Sequence, residues 1–131
     1  MKMKDSGNRQ QFNDGAVRDT ADDKSRPDLI SPFFMMRLGN WLMLGAKKYC
    51  ERNWERGIPN SRCIASLMRH ICQYMMGNED EDHLAAMACN VMFLMHNEEA
   101  VKIGILPPEI DDMPKYLQKL EEKVEFSSEN K

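Results

Sequence analysis

The sequence predicts an all-α fold, and three observations carry that prediction. Apolar residues recur at three- and four-residue spacing through several blocks of the 131-residue chain. Residues that open and stop helices stand between those blocks, and no strand-like alternation or internal repeat is visible. The architecture expected is a compact helical domain of three main helices plus a C-terminal amphipathic helix, oligomeric through methionine-rich faces.

Residues 1–28 form a polar N-terminal arm, with Gly7, Gly15 and a charged string from Arg18 to Arg26 and no apolar period to bury. At Pro27-Asp28-Leu29-Ile30 apolar character returns, so the arm can fold over the domain as well as dangle. Residues 29–106 form the core domain. Ser31-Pro32 opens a first helix, about Pro32 to Glu51, because serine caps free amides and proline at the first helical position gives up a bond already absent. Phe34, Leu38, Trp41, Leu42, Gly45 and Tyr49 share one face of it. The stretch from Arg52 to Asn60 reads as a loop.

Ser61 is the expected cap of a second helix, about Arg62 to Met76, with Ile64, Leu67, Met68, Ile71, Tyr74 and Met75 as its apolar stripe. A third helix runs from about Asp80 to Ile103 through Leu84, Met87, Ala88, Val91, Leu94 and Met95, its acidic first turn complementing the helix dipole. Gly104 and Pro107-Pro108 stop it. Residues 107–131 then comprise the Pro-Pro linker, a short charged helix from about Met113 to Phe126, and a tail, Ser127 to Lys131, expected to be disordered.

A net charge of −3 and a pI near 5.6 argue against binding a nucleic-acid polymer, which needs a strongly basic face to neutralise phosphates. A small anionic ligand held by a few local cations remains open. Cys50, Cys63, Cys72 and Cys89 lack zinc-ribbon spacing and read as reduced core thiols, which suits a cytosolic compartment. The chain begins without an apolar leader segment, and no apolar run approaches the roughly 18 residues that span a bilayer. The expectation is a cytoplasmic protein without a membrane partner, the host cytoplasm if the chain is phage-encoded.

The chemistry concentrates in Arg69-His70-Ile71-Cys72-Gln73, in Glu79-Asp80-Glu81-Asp82-His83, and at Asn90 two helical turns on. Neutral imidazole can bind metal, transfer a proton or bond a phosphate oxygen, so His70 and His83 are the first candidates. His83 and Asn90 share a helical face, and an antiparallel pairing of the second and third helices brings them to Arg69, His70 and Gln73. The acidic run can hold a divalent ion or serve as a solvated helix start, with Glu79 and Asp82 the members best placed beside His83. Lys47, Lys48, Arg52, Arg56 and Arg62 flank Tyr49 and Trp54, and cations interleaved with aromatics can hold phosphate while stacking a base. Trp54 can equally anchor its loop to the core. The twelve methionines read as core or interface filling, and His96 as surface.

An ordered series of short segments then resembles a known family: Gly15-Ala16-Val17-Arg18-Asp19, Lys24-Ser25-Arg26-Pro27-Asp28-Leu29-Ile30, Gly45-Ala46-Lys47-Lys48-Tyr49, Asn53-Trp54-Glu55-Arg56-Gly57, Arg69-His70, Gly77-Asn78-Glu79-Asp80, and His83-Leu84-Ala85 through Cys89-Asn90. Over about residues 14 to 96 the chain is similar to the phage dATP/dGTP diphosphohydrolase N-terminal family. The resemblance implies an all-helical, MazG-like nucleotide pyrophosphohydrolase that cleaves a (deoxy)nucleoside triphosphate between its α and β phosphates with Mg2+ or Mn2+. MazG-like enzymes carry Glu-Glu-x-x-Glu on one helix and Glu-x-x-Asp on the next. Here Arg69, His70 and Gln73 occupy the first acidic set, and His83 and Ala86 the second.

In the enzymatic reading the catalytic set is His70, His83 and Asp82, with Glu79, Asp82 and His83 holding metal or orienting water. Substrate is bound by Lys48, Arg52, Asn53, Trp54, Arg69, Gln73 and Asn90. The missing acids keep a second reading open, a non-catalytic protein that sequesters a nucleotide or a host signalling nucleotide and needs no cofactor. A third reading is a structural helical oligomer without ligand.

Overall fold

The computed structural model describes residues 1–129. The chain divides into two units, Met1–Ser31 and the residues from Pro32 onward. Four helices dominate, and one small antiparallel sheet of two strands lies in the first unit.

That sheet is a departure from the strandless expectation. Strand β1 (Arg9–Gln11) pairs with β2 (Val17–Asp19) in the register Arg9↔Asp19, Gln10↔Arg18 and Gln11↔Val17. Asn13-Asp14-Gly15 makes the turn: Gly15 adopts φ 90°, and the Asp14 carboxylate accepts from the Ala16 amide at 2.9 Å. Three-residue polar strands are too short for alternation to show, so only this turn tripeptide signalled them. Charged groups tie the unit together, Arg9 bonding Asp5 at 2.6 Å and the Ser6 amide donating to Asp19 at 2.9 Å.

In the second unit, α1 spans Pro32–Lys48, α2 Asn60–Met75, α3 His83–Lys102 and α4 Tyr116–Glu129. Helix α1 ends three residues earlier than expected. Beyond it the chain turns through Arg52 at φ 55° into a 3-10 turn, Asn53–Arg56, closed by Gly57 at φ 94°. Helix α2 begins earlier and without a side-chain cap at Pro59. Ser61, expected as that cap, lies within the helix, and Asp112 reaches over from the linker before α4 to accept from the Ser61 amide at 2.8 Å and from its hydroxyl. Helix α3 starts at His83 because Asp82 caps it, accepting from the Ala85 amide at 3.1 Å. Its end is set by Gly104 at φ 81°, with the Ile105 amide returning to the Ala100 carbonyl at 3.0 Å. Residues 127–129, placed in the disordered tail, continue α4. The remainder of that tail, residues 130 and 131, lies outside the described residues.

Helices α2 and α3 make the principal packing, with α1 also against α3. Three polar rungs cross the α2–α3 seam. Asn97 donates to Asn60 at 2.9 Å, Asn90 to Ser66 at 3.3 Å, and His70 faces His83 at 2.9 Å. The α2 partners rise in number as the α3 partners fall, so the helices are antiparallel. The buried apolar side chains of the seam are small: Cys63, Ala85, Ala86, Cys89 and Ala100. The larger apolar stripe expected to pack inward is mostly turned out, with Met68, Ile71, Tyr74 and Met75 exposed on α2 and Leu84, Val91 and Met95 on α3. Cys72, expected in the core, is exposed, whereas Cys63 and Cys89 are buried and Cys50 is half-buried.

Candidate functional site

The open end of this seam is a cleft of about 1010 Å³ between α1, α2, α3 and the α2–α3 connection. Antiparallel packing puts the end of α2 beside the start of α3. That brings His70, thirteen residues earlier in the chain, against His83, with their Nδ1 atoms 2.9 Å apart. His83 is almost wholly buried, and its Nε2 lies 2.9 Å from an Asp80 carboxylate oxygen. A carboxylate oxygen only accepts, so in the neutral His83 ring the hydrogen belongs on Nε2, which leaves the Nδ1 lone pair on the side of His70. Burial lowers the pKa of His70 below its ordinary value, Arg69 and His83 act the same way, and Glu81 and Asp80 oppose them. Trp41 of α1 packs edge-on against the His70 ring at 5.7 Å and fixes its plane.

Charge divides the cleft. Lys48, Arg62 and Arg69 line it from α1 and α2, while Glu79, Asp80, Glu81 and Asp82 line it from the connection into α3. Among the described residues no carboxylate lies within ion-pair distance of Arg62 or Arg69, and none of the cations pairs with Glu79 or Glu81. Asp82 differs from its neighbours. Arg37 grips it through two bonds of 2.9 and 2.6 Å, and that hydrogen bonding, aided by the Ala85 amide, holds its carboxyl below the usual range against the effect of burial. Both Asp82 oxygens are therefore engaged in tying α1 to the start of α3.

The remaining expected residues fall in three places. Asn90 lines the cleft, its amide nitrogen engaged by the Ala86 carbonyl at 2.9 Å as well as by Ser66. Gln73 does not line it; its carbonyl accepts from Asn78 at 2.6 Å and closes the turn after α2. Arg52, Asn53 and Trp54 line a neighbouring cavity of about 490 Å³, which shares Trp41, Gly45, Tyr49, Ile58 and Phe93 with the main cleft. Trp54 stacks on Phe93 at 5.8 Å and meets His96 edge-on at 4.8 Å, so it anchors its loop to α3. His96, expected at the surface, is half-buried in that contact. Arg52 pairs with Glu55 at 2.6 Å within its own turn.

Sequence reasoning did not single out Arg37, Trp41, Tyr74 or Ser66, all in the cleft wall. Arg37 and Asp82 stand 45 positions apart, and no local pattern joins them. The sequence pattern favours Glu79 and Asp82 over Asp80 and Glu81 as neighbours of His83. The i, i+3 spacing of Asp80 and His83 was the available signal.

The four-acid magnesium cage of MazG-like enzymes does not fit the donors found here. Arginine repels a cation, the Gln73 carbonyl is used structurally, and the groups that converge are two imidazoles and a carboxylate, with one donor each of His70, Glu81 and His83 within 4.8 Å of one another. Among the described residues no helix is long and apolar enough to cross a membrane. No curated protein and no solved structure matches the chain. The family model described as dATP/dGTP diphosphohydrolase, N-terminal, matches residues 14–104, which takes in the cleft with both histidines and the acidic run. On that match over more than half its length, the chain belongs to the dATP/dGTP diphosphohydrolase N-terminal family.

Proposed function

We propose that this chain is a phage-type nucleotide pyrophosphohydrolase, hydrolysing a (deoxy)nucleoside triphosphate to its monophosphate and pyrophosphate with a divalent metal ion. The family name supports the reaction class. The observation that carries the reading is the division of the cleft into an unpaired cationic side and an acidic, imidazole-bearing side. A polyphosphate chain needs cations along its oxygens, and attack of water at the α phosphorus needs groups that take the proton of water and neutralise the departing pyrophosphate. Arg62, Arg69 and Lys48 supply the charge for the phosphate chain and for the departing pyrophosphate. His70 and His83 with the neighbouring acids supply the activation of water, as proton acceptors or as holders of the divalent ion.

In this reading Asp82 is a positioning residue, holding the start of α3 and hence His83 through Arg37. Trp41, Tyr74 and Asn90 offer the aromatic and amide surfaces for base and sugar, while Asn53 and Trp54 shape the adjoining cavity. The reading includes association of the chain with copies of itself through its exposed apolar helix faces.

One observation favours a second reading, a non-catalytic nucleotide binder. Of the residues at the positions of the usual first acidic set, Gln73 closes the turn after α2, while Arg69 and His70 line the cleft and suit phosphate oxygens at least as well as they suit metal. Incubating the protein with a panel of nucleotides, with and without magnesium or manganese, separates the two. The enzyme releases pyrophosphate, and Arg69→Ala lowers kcat/KM by at least tenfold. Stoichiometric, unaltered nucleotide recovered after denaturation would establish the binder instead.

A further inference from the structure

Two histidines that face each other through like atoms need something between them. The Nδ1 atoms of His70 and His83 are 2.9 Å apart, and a hydrogen bond accounts for that distance only if His70 supplies the proton. The same distance suits two ligands of one ion. Nitrogens each about 2.0–2.1 Å from a common metal are about 2.9 Å apart in adjacent octahedral positions and about 3.4 Å apart in a tetrahedral site, so the two rings stand at the short end of the range for ligands of one ion. We propose that His70, His83 and Glu81 form a binding site for a divalent first-row transition-metal ion, with Asp80 orienting His83 toward it.

Three features support the site. Asp80 holds the far nitrogen of His83 at 2.9 Å, the arrangement by which a carboxylate fixes the tautomer of a metal-binding imidazole and leaves the other nitrogen free to ligate. Glu81 is exposed, has no ion-pair partner among the described residues, and places its carboxylate within 4.8 Å of both histidine donors. Donors bound to one ion at such lengths lie at most about 4.2 Å apart, so a rotation of this unrestrained side chain closes the set. The Trp41 ring against His70 and the burial of His83 hold the two imidazoles in place.

Two imidazoles and one carboxylate suit zinc, iron or cobalt rather than magnesium, which prefers oxygen donors and sheds water reluctantly. The site therefore assigns the imidazoles to the ion and not to proton transfer. Its use in hydrolysis rests on the nucleotide reading above; the binding itself does not.

Titrating untagged apo-protein with Co2+ and following the visible absorption of the bound ion tests the proposal without any nucleotide. The expected result is one Co2+ per chain, undisplaced by millimolar Mg2+ and displaced by Zn2+. Glu81→Gln and His70→Gln each weaken it at least tenfold, and Asp80→Asn weakens it roughly 10- to 100-fold. Because Glu81 is exposed, its variant tests the site even if a histidine variant misfolds. Absence of saturable Co2+ binding to folded protein overturns the proposal, as does binding that Glu81→Gln and His70→Gln leave unchanged. Co2+ bound at these residues by a protein that leaves nucleotides intact sustains the metal site and sinks the hydrolase; turnover by a protein that binds no Co2+ there does the reverse.

Discussion

Gly57 shows how tightly single residues are specified around the cleft. Its backbone is at φ 94°, and a Cβ there would stand 2.8 Å from Ile110 Cδ1 and 3.1 Å from Leu106 Cδ2. The left-handed conformation strains any side chain there and the end of Ile110 must shift to admit one, so Gly57→Ala is expected to cost about 1–3 kcal/mol, read as a lower urea midpoint with an unchanged slope. The glycine itself was legible as a loop signal, but the contact with Ile110 was not, because it joins segments far apart in the chain. The same limit applies to Arg37, whose grip on Asp82 no local spacing announces. His70, His83 and Asn90 were legible because each is polar inside an apolar helical block. Trp54 was legible only as an alternative, since an aromatic in a loop reads equally as ligand platform or anchor until its stack on Phe93 is seen.

At the scale of elements, periodicity located the four helices but misjudged which face packs within the chain. The pattern marks large apolar residues, whereas the α2–α3 seam is built from alanine, cysteine, asparagine and serine, which allow close approach and bond across it. Apart from the cysteines, which read as core thiols, such residues carry little weight in a hydropathy pattern. Helix ends were displaced for a related reason, since α2 is capped by Asp112 from a different segment. Asp112→Ala is expected to speed amide exchange in the first turn of α2 while leaving α3 protected, measurable by hydrogen exchange with mass spectrometry. Bonding to Ser61 holds the Asp112 carboxyl below its ordinary value of 3.8. A depressed carboxylate stabilises the fold fully above that value, and the contribution disappears as pH falls through the lower folded-state value. The exchange difference between Asp112→Ala and the parent should accordingly be present at pH 6 and shrink once both are acidified below that value.

For the molecule as a whole, the helical unit buries few apolar side chains, and those are small apart from Leu106, while Phe33 (83% exposed), Met75 (75%) and Met36 (67%) stand in solvent. Burial of small side chains alone leaves little to offset chain entropy, so association through these faces is the expected way to complete the core. Sedimentation equilibrium should give a mass at least twice 15.2 kDa, reduced by Met75→Glu; a monomer at all concentrations would contradict this. The proposed nucleotide hydrolysis at the α2–α3 junction draws on the family match and on the divided cleft. The most direct test is phosphorus NMR of dATP and dGTP incubated with the protein and divalent metal. The prediction is conversion to monophosphate and pyrophosphate, lost in Arg69→Ala; triphosphate recovered intact, or orthophosphate as the released product, would contradict it.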